Sequence, residues 1–514
     1  MSTSSTLPHE SLLALSAVEL RQLIGRRALS PVELLEACIA RIEAVNPRVN
    51  AITATCYERA LSEARAAEQA VMAGQALGLL HGLPLGVKDL EDTAGLLTTY
   101  GSPLFRNHVP AADNVLVQRL RAAGAIVVGK TNVPEFGAGA NSRNVVWGAV
   151  GNPFNPNLNA GGSSGGSAAA LACDMLPLCT GSDTGGSLRI PAALNGVVGM
   201  RPSPGVVPSE RKKLGWTPLS VVGPMGRNVA DACLQLAATA GAHGGDPLSF
   251  PLDALQFLTP ASCDLSRLRV GWSEDLGVCD VDPVVRRAFR SKIAAMAPHF
   301  ALCEPVELDF AGAHECFDVL RAESFVASMD AAYRKDPASL GPNPRANYEQ
   351  GAAMSLRDAA FARAEQTRLL QSFQRKFEQY DILLCPTTPL SPFPWTSLYA
   401  DTIDGKQQAN YYRWLALTYV ITLTAHPAIS LPCGRDELGM PFGLQVVGRF
   451  RSDAALLAIS QALEQAFAGD QRLSRPRPDL QHLPEPVPSL KSIVTAPPEV
   501  GELVLADAGT GSAV

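Results

Sequence analysis

The sequence predicts an α/β protein in which helices cover a largely buried sheet, and three observations carry that expectation. Short apolar runs of strand length alternate along the chain with stretches of helical period. The runs are apolar throughout, the pattern of strands buried on both faces. The composition, 46% hydrophobic and 18% charged over 514 residues, supplies enough apolar side chains for a large core.

The N-terminal region reads as helical. Ser16 with Glu19, and Ser30 with Pro31 and Glu33, have the spacing of capping boxes, which satisfy the free N–H groups of a helix start. Leu20, Leu23 and Ile24 then share one face, as do Leu34, Leu35, Cys38 and Ile39. A third helix is expected over Tyr57–Met72. Residues 83–89 (LPLGVKD) form an apolar run that turns polar, as a strand leading into a site would. Helices follow at 114–122 and 167–173, and strands at 125–128 and 176–179. Farther on, strands are expected at 268–272, 382–385, 428–431 and 443–447. Helices are expected at 284–296, 312–329, 356–379, 410–422 and 454–467. The chain divides into a helical segment (1–75) packed on a catalytic unit (76–480), with a Pro/Gly-rich tail (481–514) expected to be mobile or loosely docked.

Several function classes fall away on bulk properties. A net charge of −6 without a basic run argues against a nucleic-acid partner. The N-terminus lacks the basic and apolar regions of a secretion signal, and no stretch approaches the ~20 apolar residues of a membrane span. Eleven cysteines with no CxxC pair read as reduced thiols, so a cytoplasmic protein without a membrane partner is expected. No cluster has metal-ligand spacing, so neither metal nor cofactor is expected.

The chemistry is concentrated between Lys88 and Arg189. GLPLGVKD surrounds Lys88, AGGSSGGSAAALA spans 160–172, and TGSDTGGSLRIPAA spans 180–193. Glycine clusters let backbone N–H groups approach a bound group closely and leave serine hydroxyls unshielded. Serine is a weak nucleophile until a base takes its proton, and no histidine lies near either loop. Lys88 ends a buried-looking run, and desolvation disfavours a lysine's ammonium form, so a neutral Lys88 could act as the base.

These three segments resemble the amidase signature family of Ser–cisSer–Lys hydrolases. Ser187 follows Ser163 by 24 positions and Lys88 by 99, which fits the family arrangement. GKTNVPEF (129–136), the GNPFNP run from Gly151, VVGPMGRNVADA (221–232), DILLCPTTP (381–389) and HPAISLPCG with PFGLQVVG (426–448) extend the likeness over roughly residues 10–470. Ser182 in place of a usual threonine, and GMRPS (199–203) in place of GLKPT, are conservative departures.

The resemblance implies a large twisted mixed sheet covered by helices on both faces. It makes Ser187 the nucleophile, Ser163 a bridging serine after a cis peptide from Gly162, and Lys88 the base. The N–H groups of Thr184, Gly185, Gly186 and Ser187 would form the oxyanion hole, supported by Gly162, Ser164, Asp183 and Arg189. Phe136, Gly137, Asn141 and Cys316 are expected to line the pocket. A small-molecule amide, attacked without a cofactor, is the implied substrate, and a homodimer is compatible with the family.

The segment GAGANSRN (137–144) looks more like stand-alone bacterial amidases than like the transamidation subunit that serves charged tRNA. A neutral aryl-acylamide, lactam, carbamate or simple carboxamide is therefore the expected substrate. There are two rivals: a non-catalytic binding protein on the same fold, and the glutamine-amide-hydrolysing subunit of a tRNA-dependent amidotransferase. The intact Lys88, Ser163 and Ser187 argue against the non-catalytic one. The run Gly161–Gly166 also satisfies G-x-S-x-G, but a nucleophile elbow needs a preceding strand and a late histidine. Residues 155–160 read as turn-like, and His426 opens what looks like a buried strand. No G-K-[ST] follows either glycine cluster, against a phosphate loop. Cys173, Cys179, Cys385 and Cys433 read as core, as do Tyr411, Tyr412, Trp414 and Tyr419, with pocket lining the second reading for the aromatics.

Overall fold

The computed structural model describes residues 9–502; the extreme ends of the expected N-terminal segment and tail lie outside the described residues. Eleven strands form one central mixed sheet. In chain order they are β1 (Ile52–Thr55), β2 (Pro84–Lys88), β3 (Ile126–Thr131), β4 (Leu178–Asp183), β5 (Val198–Arg201), β6 (Val221–Gly226), β7 (Arg269–Trp272), β8 (Leu302–Pro305), β9 (Ile382–Pro386), β10 (Ala428–Arg435) and β11 (Pro441–Val447). Their spatial order is β1-β3-β2-β4-β6-β5-β10-β11-β9-β7-β8. Pairing is parallel for β3-β2-β4 and for β9-β7-β8, and antiparallel across the middle and at β1.

Every residue of β2, β3, β6, β9 and β11 is buried, and of these β2, β3, β9 and β11 contain the apolar runs that the sequence shows. The helix Gly165–Ala172 is buried along its whole length and packs over β2 and β4. Its small residues, GGSAAALA, allow that: a Cβ on Gly166 would sit 2.3 Å from the Asn132 backbone nitrogen.

Most expected elements are present with shifted ends. The helix Tyr57–Met72 has the expected bounds, and Asn114 caps Val115–Ala122 by accepting from the Val117 N–H. The Ser16–Glu19 capping box closes in both directions. At Ser30 it does not: the hydroxyl accepts from the Val32 and Glu33 N–H groups, but its proton goes to Glu68 Oε1 at 2.6 Å, and Pro31 fills the first helical position. The helix expected over 410–422 is a 3-10 turn, Arg413–Leu415, followed by Ala416–Leu423, because Asn410 Oδ1 captures the Tyr412 N–H.

Three findings differ more. Strands β1, β5, β6 and β8 were not expected; β1 is only four residues long, between two helices. Residues read as turn-like form a strand, Asn155–Asn159, paired with Gly151–Asn152 in a separate two-stranded hairpin. The stretch to residue 502 is irregular but firmly docked. Leu490 is 2% exposed against Ala149 and Trp395, and its carbonyl accepts from the Ala149 N–H. Val145 O accepts from Thr495, and the Leu97 N–H donates to Glu502 O. These backbone bonds tie down a segment whose composition suggested mobility.

Among the described residues no helix is long and apolar enough to cross a membrane.

Candidate active site

The sheet positions the site. Lys88 is the last residue of β2 and Asp183 the last of β4, so both stand at the C-terminal ends of adjacent parallel strands. Open α/β sheets characteristically bind ligands in such a place. The Lys88 N–H donates to Thr180 Oγ1 at 2.8 Å, fixing the strand end.

Lys88 is fully buried, and its Nζ lies 2.8 Å from Ser163 Oγ, 2.8 Å from Ser164 Oγ and 2.9 Å from Ser182 Oγ. Burial pushes its ammonium down to about 7, with the Glu91 and Asp183 carboxylates opposing the shift. A neutral amine has one lone pair and two N–H groups, which suits three hydroxyls. Ser164 Oγ makes a long 3.5 Å contact with Ser182 O, so its proton is directed there and its oxygen takes an N–H from Lys88. Ser163 can then point its proton at the lone pair. A second buried lysine, Lys130, donates to Thr93 Oγ1 and Glu91 O and meets no serine.

The Gly162–Ser163 peptide is cis. The loop that carries it joins the Asn155–Asn159 hairpin strand to the helix Gly165–Ala172. Ser163, Ser182, Thr184 and Ser187 floor a cavity of about 230 Å³. Phe136 and Gly137 form part of one wall, and residues Arg321, Ser324, Phe325, Ser328 and Met329 of the helix Ala313–Lys335 form another. Gly137 has φ +70°, and a Cβ there would approach Ser163 Oγ to 3.3 Å, so only glycine lets this wall come so near.

The second glycine–serine loop is braced by charge. Arg189 Nε and Nη2 donate to the two Asp183 carboxylate oxygens, each at 2.9 Å, with both side chains fully buried. Burial would raise the Asp183 carboxyl, but the Arg189 and Arg201 guanidiniums outweigh it and hold it well below the usual range. Arg189 Nη1 also donates to Thr418 O and Gln445 Oε1, locking the loop to the helix Ala416–Leu423 and to β11.

Asp183 Oδ1 accepts the Gly186 N–H at 2.9 Å and Oδ2 accepts from Leu188. This corrects one expectation: the Gly186 N–H is committed to Asp183 and is not free for an oxyanion. The N–H groups of Thr184, Gly185 and Ser187 have no acceptor among the described residues and remain available.

Two pocket expectations are also corrected. Cys316 is wholly buried, with its Sγ donating to Ala362 O, on a face of its helix turned from the cavity. Asn141 lines a different cavity, under Leu340 and Ile493, because its Nδ2 is held by Trp395 O and Ser397 O. What the sequence reading lacked was Ser182 as the third hydroxyl on Lys88, and the wall from Arg321 to Met329. Its i, i+3, i+4, i+7, i+8 spacing was visible as one helix face.

The elbow reading loses its base. His426 is buried, stacked on Phe377 at 5.1 Å, with Nδ1 on Thr424 O, and burial pushes it down to about 4. The strand preceding Ser163 belongs to the small hairpin and not to the central sheet.

The chain is similar to known proteins over most of its length. The glutamyl-tRNA(Gln) amidotransferase A subunit of Thermosynechococcus vestitus is 32% identical over 480 residues, covering 88% of this chain and 98% of that protein. A bacterial aryl acylamidase of the amidase signature family superposes with a TM-score of 0.81 at 27% identity, covering 88% of this chain and 96% of that one. A 6-aminohexanoate cyclic dimer hydrolase gives 0.78 at 27% identity, covering 91% and 99%. The amidase family profile matches residues 33–457, and the chain therefore belongs to the amidase family of carbon–nitrogen hydrolases.

Proposed function

We propose that the chain hydrolyses the C–N bond of a small amide through an acyl-enzyme on Ser187, with Lys88 as base and Ser163 as proton shuttle. The observation that carries this reading is the Lys88 amine, lowered to about 7 and 2.8 Å from Ser163 Oγ, beneath a cavity that Ser163 and Ser187 both line. Ser187 Oγ attacks the carbonyl carbon and passes its proton to Ser163, which passes its own to Lys88. The N–H groups of Thr184, Gly185 and Ser187 receive the oxyanion. Ser163 then protonates the departing amine and recovers a proton from Lys88; water, giving up a proton along the same path, attacks the acyl carbon and restores the Ser187 hydroxyl.

The reaction is assigned to the unit 76–480, in a cytoplasmic setting and without cofactor. The substrate range in this reading is that of stand-alone members: aryl-acylamides, lactams, carbamates and simple carboxamides. The aryl acylamidase and cyclic dimer hydrolase likenesses support it.

A second reading has its own support. Curated relatives at 32–33% identity include A subunits of glutamyl-tRNA(Gln) amidotransferase, and the match spans nearly their whole length. In that reading the same triad hydrolyses a glutamine amide within a complex.

The test is a panel of anilides, lactams, carbamates, primary carboxamides and glutamine, followed by mass spectrometry beside Ser187→Ala. Turnover by the isolated chain that disappears in the variant supports the stand-alone reading. Glutamine turnover alone, appearing only with partner proteins of the complex, supports the second. Turnover that survives Ser187→Ala overturns both.

A further inference from the structure

Arg321 lines the cavity beside Ser187 and has no carboxylate partner among the described residues. It is 5% exposed, on the helix face that lines the cavity. Its Nε donates to Asn347 Oδ1 at 3.1 Å and its Nη2 to the Tyr411 hydroxyl at 2.6 Å, both neutral acceptors. The nearby acids of its helix are engaged elsewhere: Asp318 pairs with Arg413 at 2.7 Å and Glu323 with Arg363 at 2.6 Å. No carboxylate among the described residues lies within 4.0 Å of the guanidinium, and Nη1 has no protein acceptor. The rings of Tyr412, Phe325, Tyr411 and Phe317 lie 5.0, 5.1, 5.5 and 6.0 Å from its centre; their faces attract the cation but carry no formal charge.

The rest of the cavity has the same bias. Lys212 and Lys213 also line it, and among the described residues no Asp or Glu does. Lys212 has a partner of its own in Asp246, at 3.7 Å, so Arg321 is the buried cation left without one. A guanidinium stays protonated at any working pH, and a buried charge is retained where something compensates it.

We propose that Arg321 is the receptor for a carboxylate carried by the substrate, so that the preferred substrate is an anionic amide and not the neutral one the sequence suggested. The inference rests on the hydrolase reading of the Ser187 site and names its substrate class. The carboxylate sits on the acyl or the amine half, a few bonds from the scissile carbon, and takes a charge-assisted hydrogen bond from Nη1. Arg321 acts on recognition, and the proton path through Lys88 does not include it.

The experiment uses matched pairs that differ only by the anion. Succinyl 4-nitroanilide against butyryl 4-nitroanilide tests the acyl half, and 4-acetamidobenzoate against acetanilide tests the amine half. In the wild type the anionic member of one pair is expected to have a kcat/KM about 10- to 100-fold higher, the range of one hydrogen bond to a charged group. Arg321→Met should abolish that ratio chiefly through KM, and Arg321→Lys should restore part of it. Binding of the same pairs to Ser187→Ala by calorimetry reads recognition without chemistry, so absent turnover bears on the hydrolase reading and absent discrimination on this one. A wild type that does not discriminate within either pair overturns the proposal. So does an Arg321→Met variant that loses activity equally on both members, because Arg321 would then only hold Asn347 and Tyr411 in place.

Discussion

The protonation of Lys88 should appear directly in the pH dependence of catalysis. The perturbation is pH itself, with Lys88→Arg as its partner. The amine is lowered to about 7 because it is wholly buried, and the base is its neutral form. A lowered lysine pKa means that activity is present above the pKa and lost as pH falls through it. At about pH 6 roughly one Lys88 in ten is neutral, and at about pH 8 roughly nine in ten, so kcat/KM should rise about tenfold between them with the slope of one proton. In water the same amine would leave only a trace neutral at pH 8. The assay is the initial rate on a chromogenic anilide, whose own ionisation does not change over this range.

Glu464 is also placed near 7, by burial, but it accepts from the Val229 N–H and does not line the cavity; Glu464→Gln should leave the profile where it is. Arginine cannot lose its proton in this range, so Lys88→Arg should be inactive throughout. A wild-type profile flat between pH 6 and 8, or a Lys88→Arg variant with the same rise, would refute Lys88 as the base.

Other outcomes follow from the packing. Gly186→Ala should cut turnover by at least about 10²-fold with the circular dichroism unchanged. At φ +121° its Cβ would meet Thr418 Oγ1 at 2.2 Å and displace the loop that carries Ser187. Arg189→Met leaves Asp183 buried opposite Arg201 alone, and should lower the free energy of urea unfolding by about 3–5 kcal/mol. Leu490→Asp should release the docked C-terminal stretch, read as faster proteolysis after residue 484 with kcat retained, because Leu490 packs on Ala149 and Trp395 outside the serine cavity.

The candidate site was legible in sequence because its marks are local. Lys88 ends an apolar run, and the two glycine–serine clusters sit within 30 residues of each other. The strands next to them read correctly because burial on both faces leaves no polar alternation to misread. β1 and β5 escaped because four residues between helices or after a loop carry too little period to register.

The tertiary structure decided what depends on partners far along the chain. The Gly186 N–H and the Asp183 carboxylate are close in sequence, yet which donors stay free depends on how the loop is pinned by Arg189 to Thr418 and Gln445, more than 200 positions away. Cys316 and Arg321 share one helix, and a period of 3.6 residues puts them on different faces; only the packing of that helix selects the face turned to Ser187. Composition made the C-terminal stretch look mobile or loosely docked; up to residue 502, long-range backbone bonds to Ala149, Val145 and Leu97 hold it. Local pattern thus indicated most of the strands and the two glycine–serine loops. Side-chain direction, free donors and unpaired charge are properties of contacts between distant segments, and the fold alone decided them.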